Sequence, residues 1–108
     1  MPKKTIAKEK PEEKLVPVAT PEACIDHDEE AYYIQVELPG VKKENVSLSM
    51  TEQSFCIQGT RENLVFAGCF ILAHPVKEDE AKAKFENGLL NITVPLKQPL
   101  KGKKIPIE

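Results

Sequence analysis

The chain has 108 residues, nine prolines and no tryptophan, and its 15 basic and 17 acidic residues leave a net charge of −2. That length holds one domain, and that proline content argues against a helical bundle. The mixed charge offers no strong field to nucleic acid, no segment approaches the roughly 20 apolar residues of a membrane span, and no secretory leader follows the basic start Met1-Pro2-Lys3-Lys4, so a cytoplasmic protein that binds neither nucleic acid nor membrane is expected.

Residues 1–22 carry many Lys and Glu residues, four prolines and no aromatic. Such a segment cannot bury enough apolar area to offset chain entropy, so it is expected to be a flexible arm, with Leu15, Val16 and Val18 resting on the domain as an extended edge. From Ala23 the period becomes two. Tyr32, Ile34, Val36 and Leu38 face one way, while Tyr33, Gln35 and Glu37 face the other. Leu38-Pro39-Gly40 ends that strand, and Val41 to Asn45 forms a short turn. Val46, Leu48 and Met50 alternate with Ser47 and Ser49 in a second strand. Phe55 and Ile57 mark a third, expected to stop at Gly59. The fourth runs from about Val65 to Ala73, with Phe66, Phe70 and Leu72 as its inward residues. After the polar run Lys77 to Glu80, Ala81, Ala83 and Phe85 pair across Asn87-Gly88 with Val94, Ile92 and Leu90. Asn-Gly between alternating apolar runs is a strong hairpin signal, because both turn residues must take positive φ. Short single-faced strands separated by turns make the expected fold all-β, an antiparallel β-sandwich spanning residues 23–96.

A tail, residues 97–108, ends in Ile105-Pro106-Ile107. Proline keeps this piece extended, so the two isoleucines face the same way, as a plug for a groove on a sandwich edge requires; the other reading is a disordered tail. Nine residues, Leu96 to Lys104, give the plug a reach of about 30 Å at ~3.3 Å per residue.

The three cysteines lack regular spacing and read as reduced thiols. If the third and fourth strands form a tight hairpin, Cys56 and Cys69 share the outer face across the ladder. They are then either a redox-sensitive pair or two small half-buried residues. His27 and His74 read as solvent-exposed, with no metal-ligand spacing. Asp26, Asp28, Glu29 and Glu30 read as a solvated turn. No phosphate loop, nucleophile elbow or nucleophile–base arrangement is present, so neither catalysis nor a cofactor is expected.

Three segments resemble the α-crystallin domain of the small heat-shock proteins. Val36 to Val46 is similar to that family's strand, Leu-Pro-Gly turn and following strand. Ala81 to Pro95 is similar to its signature hairpin, and Ile105-Pro106-Ile107 to its C-terminal I-x-I motif. The resemblance implies an immunoglobulin-like sandwich and an ATP-independent holdase that binds non-native clients. It also implies self-association in which Ile105 and Ile107 enter a neighbour's groove, here lined by Val46, Leu48, Ala83 and Phe85. The chain departs from the family at three places. Only Thr60 to Val65 lies where microbial and plant members carry a long loop with an exchanged strand. Gly68 stands where an arginine is frequent, and the N-terminal arm lacks aromatics. These departures point to the alternative of a monomeric adaptor like the CS-domain co-chaperones.

Overall fold

The computed structural model describes residues 15–108, so most of the expected arm lies outside the described residues. Eight strands occur in the described part: β1 (Val18–Ala19), β2 (Glu22–His27), β3 (Ala31–Glu37), β4 (Val46–Met50), β5 (Ser54–Arg61), β6 (Leu64–Ile71), β7 (Lys82–Glu86) and β8 (Leu89–Pro95). They form two four-stranded sheets, ordered β1-β6-β5-β4 and β2-β3-β8-β7. All pairings are antiparallel except β1 with β6, where Val18 faces Val65 and Ala19 faces Phe66.

The alternation read from the sequence builds the core. Tyr32, Ile34, Val36 and Leu38 from β3 and its end meet Leu90, Ile92 and Val94 of β8 on the inner face of one sheet. Phe55, Ile57, Phe66 and Leu72 supply the facing layer, and the rings of Phe55 and Phe70 stack at 5.1 Å. Each large side chain removed from water contributes roughly 1.5–3 kcal/mol, the main term holding the two sheets together.

Asn87 and Gly88 both have positive φ, 51° and 79°, as the hairpin requires. This turn also anchors the rest of the fold, because the Leu38 N–H donates to the Gly88 carbonyl at 2.7 Å.

Three sequence expectations are corrected. β5 does not stop at Gly59 but continues to Arg61. Gly59 lies inside the sheet, paired with Val46 on one side and Phe66 on the other, and an added Cβ would meet Leu38 and Val41 at the ordinary contact distance of 3.4 Å, so this glycine does not end the strand. β2 precedes the first strongly alternating run and takes in Asp26 and His27, because backbone pairing with β3 holds a segment whose side chains are mostly polar or exposed. The fourth strand ends at Ile71 and not Ala73.

The true turn of the acidic cluster is at Asp28. Its carboxylate accepts the N–H groups of Glu30 and Ala31 at 2.8 and 2.9 Å and the Tyr33 hydroxyl at 2.9 Å. The backbone hydrogen bonds, first that of Glu30, hold its pKa below the usual carboxylate range. A lowered folded-state pKa stabilises the fold above the ~3.9 of an unfolded aspartate, and the benefit is lost as pH falls through the lower folded value. Asp28→Asn is therefore expected to melt below the parent chain at pH 7, with the two melting curves converging in acid. A gap that stays constant with pH would show that the charge of Asp28 does not matter.

Candidate interaction groove

β4 and β7 are edge strands of opposite sheets, so among the described residues neither has a hydrogen-bonded strand on its outer side. The side chains that alternate inward from them therefore meet at an open margin of the sandwich. Val46, Leu48, Ala83, Phe85 and Leu90, with Lys43 at the rim, line one cavity of about 200 Å³. Ala83 is exposed, and Val46, Leu48 and Phe85 are half-buried. This resolves a conflict in the sequence, where the same alternation assigns these residues both to the core and to a groove. Val46, Leu48 and Phe85 pack against the core and still face an opening, with exposed Ala83 beside them, because among the described residues no third strand closes that margin.

Lys43 and Leu90 were not identified as groove residues from the sequence. Leu90 was legible in principle, since it is the ladder partner of Phe85. Lys43 belongs to a one-turn 3-10 helix leading into β4, and only the three-dimensional path brings it to the rim.

Ile105 and Ile107 are 71% and 95% exposed and lie outside the groove of their own domain. The tail is nevertheless fixed along its first part. Leu96 N–H donates to Glu30 O, Lys97 N–H to Pro75 O and Leu100 N–H to Glu29 O, at 2.8–2.9 Å. The Lys97 ammonium also donates a hydrogen bond to the Glu52 carboxylate, and that bond, with the charge attraction between the two groups, raises the Lys97 pKa. The freely placed segment thus begins after Leu100, and the reach expected from the sequence shortens. From Leu100 to Ile105 the chain spans at most ~17 Å.

On the outer face of the β4-β5-β6 sheet, Cys56 and Cys69 face each other in the ladder and are joined by a disulfide, with Cα atoms 4.0 Å apart. The expectation of reduced thiols is corrected for this pair: the short β5–β6 hairpin sets the two cysteines directly opposite. Cys24 is free and exposed. His27 is exposed, whereas His74 is half-buried, its N–H donating to the Tyr32 hydroxyl at 3.0 Å and its ring edge-on to that of His27 at 5.1 Å. Among the described residues no group of three His, Cys, Asp or Glu side chains is placed to hold a metal, and no helix is long and apolar enough to cross a membrane.

The model of the Hsp20/alpha crystallin family matches residues 24–108. The "Probable 15 kDa heat shock protein" of Leptospira interrogans is 29% identical over 113 residues, covering 92% of this chain and 87% of that protein. "Small heat shock protein C4" of Rickettsia felis is 29% identical over 106 residues, covering 83% of this chain and 65% of the relative. Among solved structures, heat shock protein 16.0 of Schizosaccharomyces pombe superposes with a TM-score of 0.67 at 27% identity, covering 82% of this chain and 98% of that one.

Proposed function

The chain belongs to the Hsp20/alpha crystallin family, which supports a chaperone role, and from that premise we propose that it is an ATP-independent, non-enzymatic holdase whose groove exchanges between a tail of its own kind and apolar segments of non-native clients. The observation that carries this reading is the open apolar margin between β4 and β7 beside an undocked Ile105-Pro106-Ile107 tail. An extended segment entering there would place alternate side chains against Val46, Leu48, Ala83 and Phe85 and offer backbone groups to either edge strand.

Geometry favours docking between copies. Leu100 is held at the β2–β3 turn, and between two and three strand spacings of ~4.8 Å separate that turn from β7. Crossing the sheet end takes about 10–14 Å of the ~17 Å that the five following residues can span, which leaves little length to turn down along β7 into the groove of the same domain. The tail of a second copy meets no such constraint. Glu108, next to Ile107, would approach the Lys43 rim, adding a modest charge match. Burial of two isoleucines is partly offset by ordering the tail, so the contact is reversible, as exchange with clients needs.

A second reading has one observation in its favour. Only Glu62 and Asn63 connect β5 to β6, so this loop supplies no strand for exchange between subunits. That suits a monomeric adaptor. Light scattering from a heat-denaturing client enzyme, without ATP, separates the two. A holdase is expected to suppress scattering at near-stoichiometric ratios. Unchanged scattering with this chain still folded would favour the adaptor.

A further inference from the structure

We propose that Cys56 and Cys69 form a thiol–disulfide exchange site for low-molecular-weight thiols, which sets how firmly the C-terminal half of β6, past the cover of β1, is held. The ladder shows what the bond adds. The Leu72 N–H donates to Gln53 O at 2.9 Å, so pairs two apart from it, Phe55 with Phe70 and Ile57 with Gly68, are the hydrogen-bonded ones. Cys56 with Cys69 falls between them. The backbone groups of Cys69 therefore point away from β5, toward the outer edge of β6. Among the described residues, β1 covers that edge only at Val65 and Phe66, after which Thr20 and Pro21 pass over Gly68, 3.3–3.4 Å from where a Cβ would sit, and the chain leaves for the other sheet. At Cys69 the disulfide is the lateral tie that the backbone does not supply.

The bond is also accessible. It borders a shallow hollow of about 210 Å³ lined by Ser47, Ser49, Cys56, Gln58, Ala67 and Cys69, whose hydroxyl and amide groups suit a small peptide thiol. Cys69 is the more exposed residue of the pair, so an incoming thiolate attacks its sulfur. The new bond joins Cys69 to the small thiol and Cys56 leaves as a thiolate. A second small thiol attacks that mixed disulfide and frees Cys69. The net reaction converts two small thiols and the protein disulfide into one small disulfide and two protein thiols, and it runs in reverse with a small disulfide as oxidant. Cys24 points from the outer face of the opposite sheet, across the ~10 Å sandwich, so it cannot intercept the exchange within the chain.

The test uses the full chain carrying Cys24→Ser, equilibrated natively in buffers of reduced and oxidised glutathione, then alkylated and weighed. Two thiols are expected to appear together over a single transition, without covalent dimers. Amide exchange at Phe70 and Leu72 is expected to quicken by about tenfold or more in the reduced form. Adding Cys56→Ser should leave Cys69 able to take a glutathione adduct, and Cys69→Ser in its place should leave Cys56 slower to do so. A pair that stays oxidised in excess reduced glutathione until the chain unfolds would overturn the proposal, as would a pair that never oxidises or that forms covalent dimers. The buffer measurement needs neither additional serine variant, so it decides even if those fail to fold.

Discussion

Replacing Ile105 and Ile107 together by serine is expected to lower the average assembly mass at fixed concentration, measured by light scattering behind a sizing column. Both side chains are exposed in the isolated domain, so the substitution removes nothing the fold depends on. Its effect must come from a contact with another copy. Burying two isoleucines contributes roughly 3–6 kcal/mol before the cost of ordering the tail. A net loss of about 2–3 kcal/mol corresponds to a contact weaker by roughly 100-fold. Ala83→Arg blocks the same contact from the other side, because Ala83 is exposed at the groove and can change without disturbing the core. Mixing the two variants then discriminates. If tails dock between copies, a chain with an intact tail binds a chain with an intact groove, and mixed species appear. An unchanged mass for the double serine variant would sink the plug, and absence of mixed species would argue that each tail serves its own domain.

How much of this was legible in the sequence depends on which interaction decides each element. The β7–β8 hairpin was readable residue by residue, because Asn87-Gly88 fixes the turn and the turn fixes the register that pairs Ala83 with Ile92 and Phe85 with Leu90. The same logic placed Cys56 opposite Cys69, since the short β5–β6 connection leaves only one register. β2 was not read as a strand, because Asp26 and His27 lie on an edge strand held by backbone pairing, and such pairing leaves no mark in side-chain type. The fixed start of the tail was missed for a related reason. Its hydrogen bonds run from the N–H groups of Leu96, Lys97 and Leu100 to the carbonyls of Glu30, Pro75 and Glu29, backbone to backbone. The groove needed topology above all. Alternation says that Val46 and Phe85 face inward, and only the sheet orders reveal that both lie at an open margin.

Leu38→Ala is expected to be among the most destabilising single substitutions, and Gly59→Ala is expected to recover part of the loss. Leu38 has no exposed surface and closes the core where β3 runs into Pro39-Gly40. Truncating a buried leucine costs about 2–5 kcal/mol, the larger values where neighbours cannot collapse into the space. Here collapse is hindered, because the Leu38 N–H is tied to the Gly88 carbonyl and holds the backbone in place. At ~4–8 °C per kcal/mol for a domain of this size, the melting temperature should fall by at least about 10 °C. In the parent chain a Cβ on Gly59 would sit 3.4–3.5 Å from the two δ-carbons of Leu38 and 3.4 Å from Val41, at the near limit of ordinary contact, so Gly59→Ala alone is expected to change stability little. Once Leu38 is shortened, two of those three contacts disappear and the new methyl enters the vacated space. The double variant should therefore melt above Leu38→Ala, with a coupling between the sites of about 0.5–3 kcal/mol. Strict additivity would mean that a methyl at Gly59 does not enter the space Leu38 vacates, and that the two positions do not share one pocket of the core.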